Sequence, residues 1–179
     1  NEYAEFETFV DYIDGHVMQV RTINPGTATV SVYRLENGAL AQIYFAGERY
    51  FRLNETSART GEDFLIKEPL KPGNTWQTQD GSTRSITDIN APVSVPAGDY
   101  RALEITTTSP YGTQKDYYAP NVGLVMREYT PREVPSEKIQ SVLERIEKDK
   151  ALVISTRFFY PDFLNDRTVF ADKSVALFT

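Results

Sequence analysis

Hydrophobic and polar positions alternate with a period of two along most of the chain. The clearest run is Phe6-Glu7-Thr8-Phe9-Val10-Asp11-Tyr12, and such alternation predicts a strand with one face buried. Turn chemistry punctuates it. Asp14-Gly15, Asn24-Pro25-Gly26 and Asn37-Gly38 each supply a residue that fixes φ or accepts a positive one, and Asn-Gly between strand-like runs is a strong two-residue hairpin signal. The segments between them, 17–22, 27–33 and 39–45, are rich in β-branched and aromatic residues, and 49–53 reads as a further strand-like piece. Residues 54–63 are polar and aperiodic, which predicts a loop.

Beyond Phe64-Leu65-Ile66 the same grammar resumes. Lys71-Pro72-Gly73-Asn74 precedes Trp76, and Asp80-Gly81 separates that strand from 82–89. Pro96-Ala97-Gly98 divides 93–95 from 99–107, and Pro120-Asn121-Val122 divides 115–119 from 123–129. Turn signals recur about every 8–12 residues, the spacing of a meander, sandwich or open barrel. Trp76, heading a strand, is expected to anchor the core. One stretch departs: Ile139, Val142, Leu143 and Ile146 fall at i, i+3, i+4 and i+7, the face of a helix behind a capping Ser136. Strand and helix both remain open for 136–148. From Ala151 the pattern is β again, with 152–160 and 168–178 flanking a turn at Pro161-Asp162.

The expected fold is therefore all-β: an antiparallel meander forming a curved sheet or half-open barrel, with at most one short helix near 136–148. It would span 1–150, with 151–179 forming a β-hairpin that starts a second domain. Such a two-stranded hairpin is marginal alone, so it must pack on 1–150 or mediate homo-oligomer formation.

Composition narrows the chemistry. The 179 residues are 40% hydrophobic and include 10 Phe and 11 Tyr, ample apolar surface for an ordered core. Acids outnumber Lys and Arg by 25 to 19, and no cationic run exists to displace phosphate counterions or dock on anionic lipid. Nucleic acid is excluded as a partner. The absence of cysteine removes disulfides, thiolate nucleophiles and Cys-ligated zinc. No apolar run is long enough to span a bilayer, and the chain opens on Asn1, as expected of a processed segment of an exported protein.

Candidate sites are sparse. His16 is the only histidine and follows a turn dipeptide; with no Gly-x-Ser-x-Gly elbow, an exposed turn residue is the simpler assignment. The acids Glu5, Glu7, Glu104, Asp116 and Glu128 mostly alternate with apolar residues, as solvated strand faces do. Asp162, Asn165, Asp166 and Asp172 lack the order of a calcium loop. Phosphate loops and dinucleotide fingerprints are absent, so no catalytic residue, metal or cofactor is assigned. Trp76, Tyr100, Tyr111, Tyr117 and Tyr118 could form a carbohydrate platform. The adjacent Tyr117 and Tyr118 must point to opposite sides of a strand, one into the core and the other outward, and these two are the candidate ligand-binding residues.

Three segments together carry a resemblance: Leu70-Lys71-Pro72-Gly73-Asn74-Thr75-Trp76 with Asp80-Gly81-Ser82-Thr83-Arg84; Val95-Pro96-Ala97-Gly98-Asp99-Tyr100-Arg101-Ala102-Leu103-Glu104; and Asp116-Tyr117-Tyr118-Ala119-Pro120-Asn121-Val122-Gly123-Leu124-Val125. The series resembles the β-rich region of exported Firmicute lipoproteins that precedes a GerM-type sporulation and germination domain. Thr156-Arg157-Phe158-Phe159-Tyr160-Pro161-Asp162 looks like the opening strand of that domain. The likeness covers 65–179, and 1–64 only in general character; Asn121 stands where Gly is expected. It implies an extracytoplasmic, membrane-anchored lipoprotein without known catalysis, and it favours a strand over 138–147. The expected function is a non-catalytic envelope scaffold or protein-interaction module, linked to sporulation or wall assembly, with a protein or cell-wall component as partner. A carrier of small ligands or lipid in a concave sheet is the alternative, and a cell-wall glycosidase a more distant one.

Overall fold

The computed structural model describes residues 5–147 in full and the backbone of 153–159. Twelve strands follow one another: β1 (Glu5–Asp14), β2 (Val17–Ile23), β3 (Ala28–Glu36), β4 (Ala39–Ala46), β5 (Asp63–Lys67), β6 (Thr75–Gln77), β7 (Thr83–Val95), β8 (Gly98–Thr108), β9 (Gly112–Ala119), β10 (Gly123–Pro131), β11 (Ile139–Glu147) and β12 (Val153–Phe159). They form one antiparallel sheet in the order β5-β4-β3-β2-β1-β12-β11-β10-β9-β8-β7-β6. The fold is all-β, a curved meander that does not close into a barrel.

Every pair of neighbours in the sheet is consecutive in sequence except one. β12 pairs with both β11 and β1, so it joins an N-terminal wing (β1–β5) to a C-terminal wing (β6–β11). The first part of the segment expected to begin a second unit thus lies inside this sheet; the remainder, with its 168–178 strand and the Asp162–Asp172 loop, lies outside the described residues. Because β1 pairs with β12 while β5 and β6 share no ladder, the two edge strands are consecutive in sequence, with only Glu68 to Asn74 between them.

The hairpin turns have the expected chemistry. Asn37 and Gly38 take φ of 51° and 69°, the left-handed pair a two-residue loop requires, and a Cβ on Gly38 would also run into the Glu68 side chain. Asn121 adopts φ 59°, the conformation for which Gly is the default and which Asn tolerates. Residues 49–53 are not a strand. They are irregular backbone between β4 and β5, which pair directly with each other and leave no ladder position for them.

Residues 139–147 are strand β11, and its irregular register accounts for the helical spacing. The pairing of β11 with β12 shifts between Leu143 and Arg145. Leu143 lies opposite Thr156 and Ile146 opposite Ile154, so two residues three apart share one face. Val142, opposite Arg157, lies on the other face and is buried as well. A bulged strand buried on both sides therefore counterfeits i, i+3, i+4, i+7.

One large buried cluster fills the concavity. It unites Met18, Val20 and Tyr33 of the N-terminal wing with Ile86, Ile105, Tyr118 and Leu124 of the C-terminal wing, and Trp76 closes the edge. Trp76 is 8% exposed, and its indole N–H donates to the Phe64 carbonyl at 2.8 Å. This bond crosses from β6 to β5, strands that share no ladder. Arg84 Nη1 reaches the same carbonyl at 2.5 Å and Asp63 at 3.0 Å. Gln79 donates to the Glu62 carbonyl at 2.9 Å, and Asn74 donates to Lys67 and Pro69 carbonyls at 2.9 and 3.1 Å. The edges meet through side chains.

Trp76→Ala removes both the buried ring and this bond. It is expected to lower unfolding free energy by about 3–5 kcal/mol in urea titrations followed by circular dichroism; an unchanged midpoint would show the seam to be dispensable.

Candidate functional site

Tyr117 and Tyr118 lie on opposite faces of β9, as strand geometry demands. Tyr118 pairs across β8 with Leu103, and Tyr117 with Glu104. Both faces are covered, and both rings are buried. Tyr118 enters the concavity. Tyr117 shares its face with Ala102, Ala91 and Val93, which the far end of the β7–β8 hairpin brings over this side of the sheet. Two register shifts in β7, at Ile86/Asp88 and Asp88/Ala91, bend that hairpin, and at its tip Ala97 N–H donates to the Leu143 carbonyl of β11 at 3.2 Å. Any ligand contacting either ring must first displace this packing. Burial, reinforced by the neighbouring Glu104 and Asp116 charges respectively, pushes the hydroxyls of Tyr117 and Tyr118 well above the usual tyrosine range.

Asp116 corrects the expectation of a solvated acid. It is 3% exposed and lies on the Tyr118 face, where Arg127 Nε pairs with its carboxylate at 2.5 Å and Gln114 donates to it at 2.9 Å. Register makes the pair. Starting from Ala119 opposite Gly123, unbroken pairing would set Met126 across from Asp116; the shift between Leu124 and Met126 sets Arg127 there instead. Burial disfavours the Arg127 cation, and Asp116, aided by Tyr118 and Tyr33, more than restores it. Parity puts Asp116 on the face of Tyr118, but with both tyrosines buried alternation could not mark that face as the core.

Glu104 and Glu128 are held in ion-paired networks. Glu104 accepts from Lys115 at 2.9 Å and from Thr87 at 2.6 Å; Glu128 accepts from Lys138 and Gln140 at 3.0 Å each. Glu5 and Glu7 are exposed. His16 is an exposed turn residue. Among the described residues no group of three His, Cys, Asp or Glu side chains could hold a metal ion, and no helix is long and apolar enough to cross a membrane.

A different feature emerges on the N-terminal wing. Between β4 and β5 the chain crosses the side of β2 and β3 that faces away from the concavity, and Val30, Val32, Ala41 and Ile43 form a second buried cluster on that wing. Gln19, 0% exposed, clamps this crossing. Its Nε2 donates to the Leu53 carbonyl at 2.7 Å, and its Oε1 accepts from Glu55 N–H at 2.6 Å. The flanking arginines are also tied back. Arg49 binds Glu55 at 3.1 Å and the Tyr44 hydroxyl at 3.1 Å. Arg52 binds the Asp11 carbonyl at 2.7 Å and its carboxylate at 3.2 Å, with its guanidinium 5.1 Å from the centre of the Tyr12 ring. Tyr50, Phe51 and Leu53 nevertheless project to solvent, with Phe51 79% exposed. Sequence reasoning treated 49–53 as strand-like and missed this ridge. Its only advance signal was three apolar residues with no alternating polar register.

No family model matches the chain, and neither a curated protein nor a solved structure matches it.

Two outcomes follow. Burial pushes Glu104 and Glu128 up, but hydrogen bonds from Thr87, Lys115 and Tyr117 to the first, and from Lys138 and Gln140 to the second, hold both below the usual range. A depressed carboxylate stabilises the fold above its unfolded pKa, about 4.3, and that stability drains away as pH falls through the lower folded value. Melting temperature should therefore hold level down to about pH 5 and decline below about pH 4, less steeply in Glu104→Gln. Separately, Gln19→Ala leaves the Leu53 carbonyl and the Glu55 N–H without their partner. It is expected to cost about 1–3 kcal/mol and to speed trypsin cleavage after Arg49 and Arg52, read by mass spectrometry.

Proposed function

We propose that the chain is a non-catalytic scaffold or protein-interaction module of the bacterial cell envelope, acting outside the membrane, with a role in sporulation or wall assembly. The observation that carries this reading is the filled concavity. Val20, Ile86, Ile105, Leu124 and Leu143 are each 2% exposed or less, and a void large enough to admit solvent would leave part of its lining accessible. A carrier for lipid or small ligands needs a cavity of about 300–1,000 Å³. The same face that would hold cargo is occupied by the protein's own core.

Glu104 and Glu128 do not suit the acid catalyst that the glycosidase alternative needs. An acid catalyst in such an enzyme has its pKa raised, whereas Glu104 and Glu128 are held low by bonded partners. The envelope location rests on the likeness of the segments around Trp76, Gly98 and Tyr117–Val125 to exported Firmicute lipoproteins. The clamped apolar ridge supplies a surface suited to interaction, because rigid elements present contacts at low entropic cost.

Incubation with purified peptidoglycan tests the reading, together with native mass spectrometry of protein purified from its own envelope fraction. The expected result is no release of soluble sugar-peptide fragments and a mass equal to the polypeptide, with any N-terminal anchor. Fragment release that scales with protein concentration, or a stoichiometric extractable lipid other than the anchor, would overturn it.

A further inference from the structure

We infer that the buried Asp116–Arg127 pair selects the register of the β9–β10 hairpin and, through it, the placement of β11 and β12. The device goes beyond the interaction-module reading and stands whatever that module binds. Local signals favour a different register. The turn at Pro120-Asn121-Val122 sets Ala119 opposite Gly123 and Tyr118 opposite Leu124. Unbroken pairing from there would place Met126 opposite Asp116 and Arg127 opposite Lys115. It would also obey simple alternation, with Leu124 and Met126 together on the concave side. The hairpin instead shifts by one residue between Leu124 and Met126, so that Arg127 faces Asp116 and Glu128 faces Lys115. A bulge interrupts the ladder, and another interaction must offset that loss.

Charge does so on both faces. On the concave side Arg127 Nε lies 2.5 Å from the Asp116 carboxylate, the two side chains being 16% and 4% exposed. Gln114 donates to the same carboxylate at 2.9 Å. On the outer side Lys115 stands across from Glu128. The unbroken register would leave Asp116 between Ile105 of β8 and Met126, set Arg127 against Lys115, and turn Glu128 inward opposite Gln114. Like charges directly opposite each other are destabilising, and a buried charge deprived of its partner is more so. The consequence spreads beyond one hairpin. Every β10–β11 pair, from Met126–Val142 to Tyr129–Ile139, lies past the shift. Strand β11 therefore takes its position from the selected register, and so does β12, which joins the two wings.

Because the chain contains no cysteine, disulfide trapping reads the register directly. Thr113→Cys with Thr130→Cys reports the observed register, in which the two positions face each other. Thr113→Cys with Tyr129→Cys reports the unbroken one, since adjacent residues of a strand point to opposite faces. Each reporter pair is placed in the otherwise wild-type chain, in Asp116→Asn, and in Lys115→Glu/Asp116→Leu/Glu128→Gln. In the unbroken register that triple variant gives Arg127 an acid to face and Met126 an apolar neighbour. Diamide oxidation is followed by mass spectrometry, and near-ultraviolet circular dichroism verifies folding. The expected result is a 113/130 bond and almost no 113/129 bond in the wild type. The 113/129 bond should form at least about tenfold faster in Asp116→Asn than in the wild type, and should predominate in the triple variant. Trapping that stays as in the wild type in the folded variants would overturn the inference. If the triple variant fails to fold, Asp116→Asn decides by itself. Loss of folding in both would mean that the pair holds the fold together without choosing between registers, which would overturn it too.

Discussion

The two outermost strands of this sheet are consecutive in sequence, and that one constraint governs the rest. Laid flat, twelve strands spaced about 4.8 Å apart would hold β5 and β6 roughly 50 Å from each other. The link between them is seven residues, Glu68 to Asn74, which span at most about 28 Å even when fully extended. The sheet must roll until its edges approach. Rolling creates a concavity, and the core of Met18, Val20, Tyr33, Ile86, Ile105 and Leu124 fills it. It also leaves each wing with a second side: the 47–62 crossing is clamped onto one, and the bent β7–β8 hairpin folds over the other. The protein is consequently buried on two sides along much of its length, as β9 shows from Asp116 through Ala119.

Irregular register performs the fine placement. The shift in β10 sets Arg127 against Asp116, the shift in β11 puts Leu143 and Ile146 on one face, and the pair in β7 bends the hairpin that covers Tyr117. Each moves a side chain to a face that strict alternation would deny it. For Asp116 the effect decides whether a charge can be buried at all. With Met126 opposite, the carboxylate would stand on a core face without its cation, at a cost of several kcal/mol.

This explains which parts of the structure could be read from the chain. Turn residues act locally, so Asn37-Gly38 and Pro120-Asn121-Val122 announced their hairpins, and period-two alternation announced the strands they join. The buried role of Trp76 was legible because a large ring heading a strand has few other places to go. Alternation fails where both faces are buried or a bulge intervenes. Residues 139–147 therefore read equally as helix, and Asp116 as a solvated acid. The ridge at 50–53 was illegible for a different reason: its position depends on Gln19, more than thirty residues away, accepting and donating like a neighbouring strand.

The place of β12 bears on how the molecule reaches this state. Within each wing nearly every pairing joins neighbours in sequence, so each wing can zip from local hairpins. The wings themselves are united by β12, whose Val153 lies opposite Phe9, a separation of 153 − 9 = 144 residues. Closing so long a loop is the slow kind of event in folding. On a ribosome β1 must wait, with one ladder unfilled, until β12 has been synthesised. Through that interval β1 and β11 each present an open edge to any strand nearby, so the order of synthesis makes the middle of the finished sheet its last part to be protected.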